Sequence, residues 1–172
     1  MIVLKTARLT LRRLELADAE FILTLLNQPS FVRYIGDKGV SDMACARAYL
    51  ENGPLASYQR HGFGLYMASL TDGNAPVGIC GLVKRETLAD VDVGFALLAQ
   101  YESRGYATEA ADAVLHYAWR ECRLRRVVAV AAPDNRASIA VIEKIGMRYE
   151  GMVRFDEDGT ELKLFAVELP PR

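Results

Sequence analysis

The chain has 172 residues, 51% of them hydrophobic, which suits one domain over 1–172 with a substantial core and excludes a disordered segment. Its 21 basic and 22 acidic residues leave a formal net charge of -1, without the basic excess that generic nucleic-acid binding requires. No segment approaches the ~20 apolar residues of a membrane span, and the first residues lack the apolar core of a signal peptide, so the expectation is a cytoplasmic protein with no membrane and no nucleic-acid partner.

In chain order, "ARLTLRRL" alternates Leu9 and Leu11 against Thr10 and Arg12 and reads as a first strand with one buried face. Asp18 then caps a helix running to about Asn27, with Phe21, Ile22 and Leu25 on one face, and Pro29 stops it. "SDMACARAYLENG" reads as a second capped helix, ended by Gly53 and Pro54. "GFGLYMASL" and "PVGICGLVKRE" flank the turn-forming "TDGNA" and predict an antiparallel hairpin. "VDVGFALLA" is the next strand. After it, Ala107, Ala110, Ala111, Val114, Leu115 and Ala118 keep helical spacing, and Ser103 or Thr108 could cap that helix. "RRVVAVAA" is a nearly continuous apolar run, as expected of a central strand buried on both faces. Pro133 ends it, Asp134 or Asn135 caps a short helix through Lys144, and Gly146 suits the left-handed position after it. "MRYEGMVRF", "DEDG" and "TELKLFAVEL" close the chain as a hairpin. The order, roughly β-α-α-β-β-β-α-β-α-β-β, predicts an α/β (α+β) fold with about four helices on a mixed, mostly antiparallel sheet of about six to seven strands.

Three places in this frame carry chemistry. The strand–turn–helix from Val91 to Trp119 places Gly105, which has no Cβ, at a helix N-terminus where unpaired N–H groups favour a phosphate, and Arg104 adds a cation. An ordinary strand-to-helix turn is the alternative. Neither GxxxxGK[ST] nor GxGxxG occurs, so the usual ATP and dinucleotide readings lose their best support. Asn135 and Ser138 open the next short helix as N-x-x-S, either as cap and helix residue or as ligand contacts. Asp90 and Asp92 share a face by period-two alternation, either solvent-facing or, for Asp92, as a base. Cys45, Cys80 and Cys122 are scattered without a CxxC pair, so no zinc ribbon or dithiol site is indicated and no metal is expected. The only histidines, His61 and His116, have no nucleophile pattern around them.

"YESRGYATEA" and "RRVVAVAAPDNRASIAVIEKIGMRYEG", with the element order, resemble the GCN5-related N-acetyltransferases, nearest the branch that acetylates N-termini of ribosomal proteins. The resemblance runs from "TARLTLRRL" to "ELKLFAVEL". It implies acetyl-coenzyme A as acyl donor and a sheet splayed between the strands ending near Ala99 and Ala132. Glu102 to Ala107 occupy the family's diphosphate loop, Gln/Arg-x-x-Gly-x-Gly/Ala, with Glu102 departing at its first position. By the same resemblance, backbone N–H groups of Ser103, Arg104, Gly105, Tyr106, Ala107 and Thr108 hold the diphosphate. The strand edge at Phe95 and Leu97 pairs with the pantetheine arm, and Asn135 hydrogen-bonds it. Asp92 is the catalytic base. Ile142 stands where many members carry a tyrosine acid, so Ser138 or a water it orients takes that role, with Tyr149 a weaker candidate. Phe31, Arg33, Tyr34 and Ile35 fall where relatives line the acceptor groove, although an aromatic-anchored loop is the plainer reading of them. The implied function is direct acetyl transfer to a primary amine, on a protein N-terminus or a small molecule, in a ternary complex. The alternatives are a non-catalytic acyl-CoA-binding or regulatory module of the same fold, and a phosphate-ligand enzyme unrelated to coenzyme A. The final hairpin could also mediate a homodimer.

Overall fold

The computed structural model describes residues 1–155 and 159–171. One eight-stranded sheet runs through it in the order β1-β2-β3-β4-β5-β6-β8-β7. The strands are β1 (Ile2–Lys5), β2 (Leu9–Arg13), β3 (Leu65–Leu70), β4 (Pro76–Val83), β5 (Asp92–Leu97), β6 (Arg126–Ala131), β7 (Arg148–Arg154) and β8 (Glu161–Glu168). All neighbouring pairs are antiparallel except β5 and β6. The sheet thus exceeds the expected six to seven strands. The addition is β1, a four-residue edge strand without a fully buried residue, whose sequence carries little of the alternation that marks a half-buried strand.

The hairpin of β3 and β4 forms as expected, with Gly73 and Asn74 at positive φ in the turn. The closing hairpin pairs β7 with β8, and of its expected turn, "DEDG" at 156–159, residues 156–158 lie outside the described residues. Alternation sorts the sheet's side chains between two layers. Tyr66, Ala68, Cys80 and Leu82 face the core under α5 (Tyr106–Arg120) and α6 (Arg136–Lys144). Met67 and Ile79 face a second core with Ile22, Leu25, Phe31 and Leu50. β6 is buried on both faces, Val127 and Ala129 toward the first core and Val128 toward a third small cluster with Leu88 and Ala166.

The N-terminal helices depart from the sequence reading. α1 (Ala19–Leu26) starts after Asp18, but the Asp18 side chain makes no cap bond to it. The carboxylate instead takes two bonds from the Arg12 guanidinium, at 2.8 and 2.9 Å, and one from the Glu15 N–H at 2.8 Å. Pro29 ends nothing permanently: it opens α2 (Pro29–Tyr34) at the first turn, where its missing N–H is no loss. Gly53 and Pro54 do not stop the next helix either. α3 (Met43–Leu50), capped by Asp42 through the Cys45 N–H at 2.8 Å, passes into a π turn at Glu51–Leu55. It then continues as α4 (Ala56–His61) and closes at Gly62, φ +78°. The wider turn accommodates the Pro54 ring inside the run. Counted this way, the described residues hold five helical units rather than the expected four or so.

Candidate active site

The site grows from one topological fact. β5 and β6 are parallel neighbours but register at a single residue pair, Asp92 with Val128, and the Val128 N–H reaches the Val91 carbonyl at 3.0 Å. Beyond that point no strand among the described residues pairs with β5 on this edge. The Leu98 N–H points to β4, bonding the Val77 carbonyl at 2.8 Å. By alternation, Gly94 and Ala96 also spend their backbone groups on β4, and Phe95 turns both its N–H and its C=O into the gap.

Gln28, at the α1–α2 junction, closes the far end of that edge. Its side-chain amide spans two positions: Nε2 donates to the Leu97 carbonyl at 3.1 Å, and Oε1 accepts from the Ala99 N–H at 2.8 Å. These are the two groups a residue of a parallel strand would bond, so a side chain substitutes for the missing β-pairing. Sequence reasoning missed Gln28, because its partners are 69 and 71 residues away and nothing local marks it.

At the open end of β5 the chain turns into α5. Gly105 is the N-cap at φ +84°, and Ser103 is also left-handed at φ +60°. Neither Ser103 nor Thr108 supplies a side-chain cap. The N–H groups of Tyr106, Ala107 and Thr108 therefore have no intrahelical acceptor, and alternating backbone hands ahead of them make a nest for an anion. Gly105 has a second reason to lack a side chain, since a Cβ there would sit 3.2 Å from the Arg8 guanidinium. Arg8 braces the turn, bonding the Arg104 carbonyl at 3.0 Å and Glu109 at 3.2 Å and lying over the Tyr106 ring.

Two adjoining cavities fill the gap, of about 510 and 370 Å³. The first is lined by Phe95, Leu97, Glu102, Ser103 and Gly105 to Thr108, with Lys144 opposite. Arg104 is absent from this lining; its side chain is exposed, and the cation at the cavity is Lys144, on the last turn of α6. The second cavity is lined by Asp92, Tyr49, Lys38, Arg85, Ile142 and Phe155, among others. Phe31, Tyr34, Ile35, Phe95, Asn135 and Ser138 line both. The segment "SFVRYIGD" is thus largely helical rather than a loop. Arg33 stands outside both linings, pairing across the mouth with exposed Asp134 at 3.5 Å.

Asn135 caps α6 as expected, its Oδ1 accepting from the Ser138 N–H at 3.2 Å. Its Nδ2 donates to Ser138 Oγ at 2.9 Å, which leaves the hydroxyl proton of Ser138 for another acceptor. Asp90 and Asp92 do not share an environment. Asp90 meets Arg126 at 3.2 Å near the surface, whereas Asp92 is 2% exposed and meets Arg85 Nε at 3.0 Å. Burial raises the Asp92 carboxyl above its usual range, against the pull of Arg85. Tyr149 lies on β7, exposed and packed against Phe165, outside both cavities. His61 borders the second cavity and stacks on Phe63, while His116 faces Asp112 one helical turn away. Among the described residues, no group of acids, histidines and cysteines could hold a metal ion, and no helix is long and apolar enough to cross a membrane.

Residues 8–148 match the acetyltransferase (GNAT) domain. The chain belongs to this family. As a GNAT acetyltransferase it is similar to YnaD of Bacillus subtilis, an uncharacterized N-acetyltransferase, with 28% identity over 149 residues, 87% of this chain and 84% of that one. Among solved structures, an acetyltransferase from Agrobacterium tumefaciens superposes with a TM-score of 0.81 at 28% identity, covering 95% of this chain and 92% of that one. RimL, a ribosomal alpha-N-protein acetyltransferase solved in complex with coenzyme A, shares the fold at a TM-score of 0.81 and 21% identity, covering 98% of both chains. The family match and the relatives named N-acetyltransferases make the chain an acetyl-CoA-dependent transferase.

Proposed function

We propose that this GNAT domain transfers an acetyl group from acetyl-coenzyme A directly to a primary amine bound in the second cavity. The observation that carries the reading is the continuity of three features. The α5 nest, the open backbone of Phe95 and the Asn135–Ser138 pair border one cleft that ends at buried Asp92. The bound coenzyme would supply an acetyl thioester, whose C–S bond breaks as the C–N bond forms.

The chain's own groups divide the remaining work. N–H groups from Ser103 to Thr108, with Lys144, hold a diphosphate, while Glu102 at the rim works against it. The Phe95 N–H faces the gap where a carbonyl oxygen gains charge. Asp92 accepts the proton that an ammonium must lose, and its raised pKa suits it to that task. Ser138 gives its hydroxyl proton to the departing sulfur, a weaker acid than the tyrosine that Ile142 replaces. Ile142 itself is 1% exposed and serves the core.

The experiment is the melting temperature with acetyl-CoA, ATP or NAD, followed by amine-dependent release of free coenzyme A. A ligand at ~100 times its Kd stabilises by about 2.7 kcal/mol. Stabilisation by acetyl-CoA alone, with amine-dependent release, is the expected result. Stabilisation without release from any amine would identify a non-catalytic acyl-CoA-binding module, and no stabilisation would remove the coenzyme.

A further inference from the structure

The second cavity gathers cations. Lys38, Arg60, Lys84 and Arg85 line it, and Asp92 is the one carboxylate among its described lining residues. Two of these charges are already engaged. Arg85 pairs with Asp92 at 3.0 Å, and the Lys84 ammonium donates to the Leu88 and Arg85 carbonyls at 2.7 and 3.2 Å. Lys38 makes no ion pair or hydrogen bond to a described residue. It lines the same cavity as Arg85 and, although its side chain is exposed to solvent, partial desolvation by the cavity walls and the like charge of Arg85 lower its pKa from the usual lysine value. Tyr49 lines the same cavity and offers a neutral hydroxyl, as an ordinary tyrosine does at neutral pH, and burial raises its pKa further against the pull of Arg85.

An anion between Lys38 and Arg85 would relieve their repulsion and could take a hydrogen bond from Tyr49. A polyamine would add positive charge to a wall that has no free described carboxylate. We propose that the acceptor is a small amine carrying a carboxylate or phosphate, with that anion held by Lys38 and Arg85 while the amine faces Asp92. This rests on the acetyl-transfer reading above. It adds a substrate class that overall charge cannot supply, since the net charge of -1 averages a cationic cavity with acidic surface.

The test compares matched acceptors at saturating acetyl-CoA by coenzyme A release. The pairs are glycine against glycinamide and aminoethyl phosphate against ethanolamine, with spermidine as the polycation. The anionic member of at least one pair should show kcat/KM about tenfold or more above its neutral partner, the size of one charge pair. Which pair shows it distinguishes carboxylate from phosphate. Lys38→Gln should erase that preference and leave the KM for acetyl-CoA unchanged. Equal or better turnover of neutral amines or spermidine, or a preference that survives Lys38→Gln, would overturn the proposal. The thermal shift produced by the anionic amine alone, in wild type and Lys38→Gln, reads the anion site even where acetyl-CoA does not bind. A failure of acetyl transfer is thereby distinguished from a failure of the anion site, and no wild-type shift with either anionic amine would overturn the latter.

Discussion

Asp92 sits under opposing demands: its burial disfavours charge and Arg85 favours it, and burial wins. A carboxyl whose pKa is higher folded than unfolded binds its proton more tightly in the folded chain. Its contribution to stability therefore falls as pH rises through the window between the ordinary carboxylate value and the raised one. Activity runs the other way, because only the carboxylate is a base. Wild-type kcat/KM should fall as pH drops through the raised pKa. Asp92→Asn should lose that limb and about 100-fold or more of the rate above it. A pH–rate profile of both proteins checks this, and an unchanged acid limb in the variant would exclude Asp92 as the base. Gly105 presents a second residue-scale demand. Alanine at φ +84° costs about 1–2 kcal/mol and must push the flexible end of Arg8 aside. Gly105→Ala should therefore lower the melting temperature and weaken acetyl-CoA binding, read by thermal denaturation and calorimetry.

Among the secondary elements, the exposed edge of β5 is the feature most easily disturbed. An unpaired strand edge is a liability, and Gln28 limits it by bonding Leu97 and Ala99. Each neutral hydrogen bond of this kind contributes about 0.5–1.5 kcal/mol. If the pantetheine arm pairs with this edge as proposed, Gln28→Ala should raise the KM for acetyl-CoA several-fold, because the arm could then slip along an edge whose end is no longer blocked. Gln28→Glu should behave similarly, since it lacks the donor for the Leu97 carbonyl. An unchanged KM in both would show that Gln28 only stabilises the α1–α2 junction. The helical run from Met43 to His61 teaches a related lesson. Pro54 and Gly53 read locally as a stop, yet the π turn carries the helix on, and this same run supplies Tyr49 and Arg60 to the second cavity.

Over the whole molecule, two half-sheets meet at one backbone pair and are clamped beside it by side chains. Arg126 binds Asp90, Glu150 and Glu168 at 3.2, 2.6 and 3.0 Å, tying the entrance of β5 to β7 and β8 at the closed end of the gap. The open end has only the cleft. Native-state hydrogen exchange should show the Phe95 amide exchanging faster than those of Gly94 and Ala96, which face β4. Acetyl-CoA should slow Phe95 and the first turn of α5 together. Protection of Phe95 in the free protein equal to that of its neighbours would contradict an open edge.

The sequence by itself determined the order of elements from β3 onward, the β3–β4 and β7–β8 pairings, the doubly buried β6, and a helix cap at Asp134 or Asn135, of which the structure takes Asn135. Each follows from periodicity, turn chemistry or capping within a few residues of chain. It also marked Asp92, Ser138 and the Gly105 turn as places where chemistry could occur, and the family resemblance joined them. Only the tertiary structure decided which groups meet. Asp92 becomes buried while Asp90 does not, because β5 begins between them and Arg85 folds over one of the two. Arg104 and Arg33 turn away from the cavities, whereas Lys144, Lys38 and Gln28 turn in, through contacts between distant segments that no local pattern encodes. The physical reason is range. Backbone preference and amphipathic period act over a few residues, while desolvation and charge depend on neighbours that only the closed sheet brings together.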